Sequence, residues 1–457
     1  MTSSSVALKR DLEAAVRGAV HVPGDSTWDD ARTAWNLAID QHPLAVVEVV
    51  DADDVAAAVR CARRLGLPVV AQSTGHAATD NGAAGAILLR MHALDSVEID
   101  TDRKVARVGG GAMWRGVLDQ LDGTGLLGLG GTAPHISVVG YTLGGGLSWF
   151  GRRHGLASSA VRSVDLVTAS GDLETVSAQS NPDLFWALRG FGGEFGIVTS
   201  MEFDLFPSPG VIGVRMLFPA SDARAVLEAY AALTAVAPPE LSAAATLLHL
   251  PDAPFLPEDR RGRSFVAINA AHLGTLDECN ELFSDLLAAG TPLENVTEPV
   301  MMSELGTIAD DPVDPSPGVD FGMLLHRFDE SAIDRLLEFA GPDRDTRFLG
   351  IGIRHLGGAL AEAGSDDSGV AGTIKEPYLM FNIGIPGLNG SVAEIAAEHQ
   401  SLRLALGDAA TDRAPYNFLG RSGIDRAYDS ATLERLRSLK QDRDPDGAFR
   451  MTRSLLT

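Results

Sequence analysis

The hydrophobic pattern near the start of the chain predicts a strand, an amphipathic helix and a second strand. Residues 44–50 (LAVVEVV) form a short β-branched apolar run typical of a buried strand. A helix is predicted over residues 53–65, with Asp51 as its capping residue and Gly66 at its end. Residues 67–71 (LPVVA) predict the second strand. This β-α-β order indicates that the chain opens with an α/β layer.

The pattern changes after Pro207, where short apolar segments alternate with helical stretches. Because these segments themselves alternate between apolar and polar positions, they predict an antiparallel sheet with helices on one face. Proline-rich loops are predicted at residues 251–263 and 309–320. The fold class expected for the whole chain is α+β. The predicted strands of the second half are residues 211–218, 264–273, 321–328, 347–356 and 378–385.

Composition and charge exclude several classes of protein. The chain has 457 residues and a net charge of −24, which argues against a nucleic-acid or anionic-membrane partner. Two cysteines exclude a disulfide scaffold, and the scattered histidines show no metal-binding spacing, so no metal site is predicted. No secretory signal and no apolar run of about 18 residues is visible, so the expectation is a cytoplasmic protein without a membrane partner.

Glycine-rich loops before residue 150 suggest a large phosphate-bearing cofactor, since glycine lets backbone amides approach a ligand closely. Residues 123–128 (GTGLLG) match the dinucleotide fingerprint, but a predicted helix precedes them and GLGGTAP follows, where a helix should begin. A nicotinamide-dependent dehydrogenase is therefore a weaker alternative. His76 lies in a loop of small residues straight after the second strand, which would place it beside such a cofactor.

Six pieces of the chain, in order, resemble one family. The chain resembles the berberine-bridge-enzyme-like branch of the flavoproteins with a vanillyl-alcohol-oxidase-type FAD-binding fold. The pieces span nearly the whole chain, which makes the resemblance more specific than any single motif. They are residues 31–36 with 42–47, 67–76, 130–146 with 154–157, 181–190 with 194–199, 354–359, and 417–420 with 436–440 and 444–449.

The resemblance implies a two-lobed FAD-binding domain over residues 1–206 and a substrate domain over residues 207–401, whose antiparallel sheet roofs the flavin. Residues 402–457 would return to the FAD-binding domain. The residues implied to bind the cofactor are Ser73, Thr74, Gly75, His76, Gly131, Thr132, Gly140, Thr142, Gly145, Gly146, Ile197, Val198 and Asn417.

Two positions depart from the family pattern. Many relatives attach FAD through a histidine and a cysteine; the histidine position is His76, but the cysteine position is Ala133, so the resemblance implies one covalent bond. Many relatives carry a tyrosine two places before the asparagine that matches Asn417, whereas this chain has Tyr416 directly before it. Since neighbouring side chains on a strand face opposite ways, Tyr416 need not point at the substrate.

Other candidates for catalytic side chains follow from position. Tyr141, beside the glycine loop, is favoured over Tyr416 as a wall residue of the site. Tyr378 and Asn382 share a face of one predicted strand and are expected to roof the site. The resemblance also implies a gatekeeper position beside flavin C4a, which aligns with Ile136, and a branched side chain there can limit access of oxygen.

The expected function is FAD-dependent oxidation of a small or medium organic substrate. The family chemistry implies transfer of hydride from an alcohol or amine carbon to flavin N5, followed by reoxidation by oxygen. Three alternatives stay open within the same fold: an oxygenase or cyclase, a dehydrogenase with another electron acceptor, and a flavin-bearing binding protein without turnover.

Overall fold

The structure is a computed structural model that describes residues 3–79, 81–254, 256–342, 344–362, 369–451 and 455. The first lobe carries a four-stranded sheet of order β1-β2-β4-β3, in which β2 and β3 both run parallel to β4. Its elements are α1 (Ser3–Glu13), β1 (Val20–His21), α2 (Trp28–Arg32), β2 (Ala45–Glu48), α3 (Ala52–Leu65), β3 (Val69–Gln72) and β4 (Ile87–Arg90).

The predicted β-α-β unit is present, and its helix begins and ends for the reasons expected. The Asp51 side chain accepts a hydrogen bond from the backbone N–H of Asp54, which satisfies a free donor at the start of α3. Gly66 adopts the left-handed conformation, with φ of 65°, and ends the helix. Cys61 is buried on α3.

The second lobe is built on a five-stranded antiparallel sheet of order β5-β6-β10-β8-β9. One face of this sheet packs against helices and forms a large hydrophobic core with them. Its elements are β5 (Val97–Asp100), β6 (Val105–Gly109), α4 (Trp114–Leu121), β7 (Leu126–Leu127), α5 (Val138–Leu143), α6 (Gly151–His154), β8 (Val161–Val167), β9 (Leu173–Ser177), α7 (Pro182–Phe191), β10 (Ile197–Asp204) and β11 (Phe206–Pro207).

In this lobe, residues 123–128 follow α4 and contain the short strand β7. A dinucleotide fingerprint must follow a strand and open a helix. Here a helix comes first and a strand follows, so the motif that supported a nicotinamide-dependent dehydrogenase lacks its structural context.

The third part of the chain is a seven-stranded antiparallel sheet of order β15-β12-β14-β13-β17-β18-β16, with β15 and β16 at its edges. The predicted α+β class is therefore confirmed. The elements of this third part are β12 (Val211–Pro219), α8 (Ala223–Val236), β13 (Leu241–His249), β14 (Ser264–Leu273), α9 (Leu276–Leu282), α10 (Ser284–Ala288), β15 (Glu294–Pro299), α11 (Gly306–Ala309), β16 (Val319–Leu325), α12 (Glu330–Ala340), β17 (Gly350–His355), β18 (Tyr378–Gly384) and α13 (Val392–Leu406).

The two faces of the large sheet have different neighbours. On one face, Ile353 and Met380 belong to a core shared with helices α8, α12 and α13. On the other face, Leu324 and Leu379 pack against Leu147 of the second lobe. The second face is therefore the one that looks toward the glycine-rich loops.

The predicted domain boundaries fall inside elements. The strand β11 spans the predicted boundary at 206/207, and α13 runs through the one at 401/402, with Leu402 and Leu406 in the core of the large sheet. The last helix, α14 (Ser430–Arg443), returns to the second lobe, where Leu436 joins its core. None of the helices in the described part of the chain is long and apolar enough to cross a membrane.

Candidate FAD site

The loop after β3 holds His76 between an aromatic ring and its neighbours in the loop. Its ring stacks on Trp35, with centroids 4.0 Å apart and planes 15° apart. The Nδ1 atom is hydrogen-bonded with Thr74 Oγ1 at 2.9 Å. Burial lowers the pKa of His76 to about 4, and nearby His135 adds to the effect. The imidazole is therefore neutral at neutral pH and keeps a nucleophilic lone pair.

The rest of this loop is tied to the second lobe. Ser73 donates a hydrogen bond to the Gly110 carbonyl at 3.0 Å. Gly75 has a φ of +87°, and a Cβ there would lie 2.7 Å from Gln72 Nε2, so glycine is needed for both conformation and space. The effect of His135 on the pKa of His76 indicates that this loop lies near His135. Cofactor residues predicted from both lobes are thus brought together.

Residues 144–146 form the centre of the predicted cofactor cradle. Gly145 and Gly146 have φ values of 106° and 74°, which favour glycine. Their carbonyls accept hydrogen bonds from the N–H groups of Ser158 and Ala157, both at 2.9 Å. This pairing fixes the backbone of Gly145 and Gly146, and a Cβ at Gly146 would lie only 2.7 Å from Ala157 and Tyr141.

Asn417 reaches this segment from the far end of the chain. Its Nδ2 donates to the Tyr141 carbonyl at 2.8 Å, and its Oδ1 lies so close to Gly144 that a Cβ there would overlap it. Asn417 thus orients the glycine segment, which agrees with its predicted place at the cofactor.

Replacement of Gly144 by alanine is expected to push Asn417 off the glycine segment and to lower the flavin content of the purified protein. The expected cost is about 1–3 kcal/mol, since backbone or the asparagine must move. Gly116→Ala is the matched control, because a Cβ at that helical position meets Val97 Cγ2 at an ordinary 3.5 Å. Flavin absorbance per chain and melting temperature are the measurements. Equal values for both variants would contradict the contact.

Several buried polar atoms around the cradle have no hydrogen-bond partner among the described residues. They are Gln72 Nε2, Thr142 Oγ1 and Ser158 Oγ. An unpaired buried polar group costs about 1–3 kcal/mol. Since all three lie beside the glycine-rich segments, they fit a ligand with many hydrogen-bonding groups, such as the phosphates and hydroxyls of FAD.

The other predicted cofactor residues line the same region. Gly131 lies against the ring of Tyr141, and Gly140 donates its N–H to the Ser137 side chain at 3.2 Å at the start of α5. Thr132 is half-buried in the loop that faces His76. Ile197 and Val198 begin β10, where the Val198 carbonyl lies beside Gly110.

Tyr141 does not line an open space, contrary to the expectation that it is a wall residue. It is 9% exposed, and its ring packs edge-on against Trp114 at 5.8 Å. Its hydroxyl donates to the Leu129 carbonyl at 3.0 Å. Burial raises the pKa of Tyr141 far above its ordinary value. These contacts favour a packing role for Tyr141. Its hydroxyl is already hydrogen-bonded and stays protonated, so it is not available as a catalytic base.

Tyr416 lies on one turn of 3-10 helix over Tyr416–Phe418, not on a strand as assumed. Its ring packs against Phe191 at 5.7 Å and Tyr428 at 6.2 Å, in an aromatic cluster of the second lobe. Asn417, the next residue, points instead to the glycine segment. The two neighbours do face different ways, although helical geometry and not strand alternation is the cause.

Tyr378 and Asn382 share a face of β18, as predicted, but it is the wrong face for a roof. The Tyr378 hydroxyl is hydrogen-bonded with Thr234 of α8 at 2.8 Å. Asn382 is fully buried, and its Nδ2 is hydrogen-bonded with His399 of α13 at 2.8 Å. Both side chains therefore lie between the sheet and its helices, away from the glycine segments.

The opposite face of the central strands is the surface that the sequence reasoning missed. Central strands are normally the most buried, yet Thr246, Asn269, Arg354 and Phe381 are only half-buried there. The register pairs Arg354 with Leu379 and Ala244, so it points the same way as the leucine that contacts the second lobe. The alternation of side chains along the strand around Leu379 would have identified this surface. We name it the roof face, and it is formed by Thr246, Asn269, Arg354 and Phe381.

Comparison with known proteins supports the cofactor. Residues 43–177 match a family model described as an FAD binding domain. (R)-6-hydroxynicotine oxidase of Paenarthrobacter nicotinovorans is 35% identical over 198 residues, which is 43% of this chain and 43% of that enzyme. The chain spans less than half the length of the curated relatives it matches. Residues 43–177 are an FAD-binding domain.

Solved structures show the fold beyond the FAD-binding domain. The berberine-bridge-enzyme-like protein 1 of Physcomitrella patens has a TM-score of 0.85 at 20% identity over 98% of both chains. Glucooligosaccharide oxidase from Acremonium strictum, which carries a 6-S-cysteinyl, 8α-N1-histidyl FAD, has a TM-score of 0.80 at 23% identity over 98% of both chains. These likenesses confirm the fold that the resemblance implies.

Proposed function

We propose that this protein is an FAD-dependent oxidoreductase that oxidises an alcohol or amine carbon of a small or medium organic substrate. The observation that carries the proposal is the half-buried roof face of the central strands, which looks toward the glycine segments of the FAD-binding domain. A sheet face whose central residues are only half-buried between two parts of a molecule can form one wall of a substrate chamber beside the cofactor.

In this proposal, different residues of the chain bind the cofactor and the substrate. Ser73, Gly75, Gly145 and Gly146 would hold FAD through backbone amides and short side chains, with Asn417 orienting the glycine segment. When bound, FAD supplies the acceptor for the hydride of a substrate C–H bond. Thr246 and Arg354 of the roof face would orient that substrate.

We also propose that the flavin is joined to His76 alone. A neutral imidazole is the nucleophilic form, and the lowered pKa of His76 keeps it neutral. Ala133 lacks the sulfur that a second bond would need. The histidyl FAD named for glucooligosaccharide oxidase is consistent with this attachment.

Oxygen is the proposed electron acceptor, and a dehydrogenase with another acceptor is the second candidate. Ile136 favours the second candidate, because its branched side chain is half-buried against the core of the second lobe in the loop that faces His76. Air reoxidation of the reduced protein separates the two. An oxidase recovers its yellow colour rapidly and releases hydrogen peroxide, whereas a dehydrogenase recovers only when an artificial acceptor is added.

The proposal is tested by adding sugars, alcohols and cyclic amines to the purified protein without oxygen. At least one class is expected to bleach the flavin absorbance, since a reduced flavin loses its yellow band. A colourless purified protein would overturn the flavin assignment. A yellow protein that no compound bleaches would favour a flavin-bearing binding protein.

Tyr141→Phe is expected to leave the rate of flavin bleaching within about threefold of the wild-type rate. The Tyr141 hydroxyl is bonded to a backbone carbonyl, so its removal costs about 1 kcal/mol of stability and no proton transfer. Loss of a general base would slow bleaching by about 10²-fold or more. A loss of that size in Tyr141→Phe, with an unchanged melting temperature, would restore Tyr141 to the catalytic residues.

A further inference from the structure

The roof face carries an arginine whose one described contact is with an aromatic ring. The guanidinium carbon of Arg354 lies 5.4 Å from the centre of the Trp149 ring. No hydrogen bond or ion pair joins Arg354 to any residue in the described ranges, although its guanidinium has five donors. The cation therefore faces the chamber without a partner of opposite charge at contact distance.

The surroundings of Arg354 leave room beside it. Its strand neighbours on the roof face are Ala244 and Leu379, and Gly352 lies two positions earlier on the same strand. Arg354 is half-buried, and burial lowers the pKa of Arg354. A side chain that is partly accessible and yet largely desolvated lines an enclosed space and does not face the outer surface.

The other groups near Arg354 do not neutralise it by contact. Asp311 and the hydroxyls of Tyr141 and Tyr230 act on it only through space. The Tyr141 hydroxyl is bonded to Leu129, and the Tyr230 hydroxyl donates to the carbonyls of Ala243 and Ile353. Asn269, on the same face, donates its side-chain amide to the Ile308 carbonyl.

A desolvated cation without a hydrogen-bonded partner is costly, and a ligand that supplies the partner recovers that cost on binding. The planar guanidinium fork matches the two oxygens of a carboxylate, and the Trp149 ring lies 5.4 Å from its central carbon. The overall charge of −24 does not oppose a small anion here, because charges beyond a Debye length of about 8 Å are screened.

We propose that Arg354 is a specificity residue that binds an oxyanion of the substrate, a carboxylate or a phenolate, in the chamber under the roof face. This rests on the proposed function, and it narrows the substrate class to acidic organic molecules. Arg354 holds the substrate through the oxyanion while another part of the molecule presents the oxidised carbon.

The test uses benzoate as the anion and benzamide as its neutral counterpart, with binding to the purified holoprotein measured by titration calorimetry. We expect benzoate to bind at least tenfold more tightly than benzamide, since hydrogen bonds to charged groups are the stronger ones. Arg354→Gln is expected to lose about 10- to 100-fold in benzoate affinity with little change for benzamide. Arg354→Lys keeps the charge without the fork and is expected to fall between the two.

Arg327→Gln is the control, because Arg327 is an exposed residue paired with Asp329 and Asp408 after the edge strand β16. It should leave benzoate affinity unchanged. Absence of benzoate binding, or equal benzoate affinity in the wild type, Arg354→Gln and Arg354→Lys, would overturn the proposal. A shifted flavin potential in Arg354→Gln with unchanged benzoate affinity would also overturn it, in favour of a contact with the cofactor.

Calorimetry keeps this result separate from the proposed function. If the protein binds benzoate through Arg354 but no substrate bleaches its flavin, the oxidoreductase assignment fails and the anion site stands. If acidic and neutral substrates are oxidised equally well by the wild type and by Arg354→Gln, the anion site fails and the oxidoreductase assignment stands.

Discussion

Acid-precipitated wild-type protein is expected to stay yellow, whereas His76→Ala should lose its flavin completely to the supernatant. The reason is that His76 supplies the neutral nitrogen in the loop that faces the predicted flavin position, stacked on Trp35 and held by Thr74. Ala133 and the buried Cys61 and Cys279 offer no second attachment in the site. The pellet is measured by flavin fluorescence in a denaturing gel.

His135→Ala is the matched control, because His135 is the histidine that adds to the low pKa of His76. It should keep the covalent flavin. Covalent flavin in His76→Ala, or its loss in His135→Ala alone, would move the attachment to the second histidine. Because the link withdraws electron density, His76→Ala should also bind FAD with a lower reduction potential, which potentiometry can follow.

Lys440→Met is expected to destabilise the protein by about 3–5 kcal/mol, because it leaves a buried carboxylate without its counter-ion. Lys440 is 1% exposed, and its ammonium group donates to Asp444 Oδ2 at 2.6 Å and to the carbonyls of Glu194 and Phe449 at 2.7 and 2.9 Å. The same bonds fasten the end of the chain to the FAD-binding lobe. Denaturant unfolding followed by tryptophan fluorescence measures the loss.

Arg435→Met on the same helix provides the comparison. Arg435 pairs with Asp183 at the surface and lies over the Trp186 ring, so its removal should cost no more than about 1–2 kcal/mol. A similar loss in both variants would mean that the Lys440 network contributes no more than a surface pair. The double change Lys440→Met with Asp444→Leu should recover part of the loss, since no charge is then left buried.

The sequence predicted the parts of the fold that local chemistry controls. The cap at Asp51 and the left-handed Gly66 bound α3 because both act within one helical turn. Strand β14 was predicted at its observed bounds, since most of its residues are apolar. Strand β13 was missed because its centre is a run of three alanines, and alanine carries little strand signal; its place is decided by pairing with β14 and β17.

The parts of the candidate site that consist of backbone and glycine could be predicted from the sequence. The parts that depend on the direction of a side chain could not. The loop of His76 and the contact of Asn417 follow from motifs. Tyr378 and Asn382 were correctly predicted to share a face of their strand. The alternation of side chains along a strand does not by itself say which of the two faces meets the cofactor. The hydrophobic cluster that Leu379 shares with Leu147 decides it, and the strand register places Arg354 on the same face.

The edges of the large sheet have a consequence for how the protein behaves at high concentration. An exposed strand edge is a template for pairing with another chain. Edge strand β15 ends in Pro299 and carries Glu294 and Glu298, which discourage such pairing. On the other edge, Leu324 exchanges backbone hydrogen bonds with Thr411 and Arg413, so the segment after α13 occupies it. Removal of that segment would expose a pairing edge and favour aggregation.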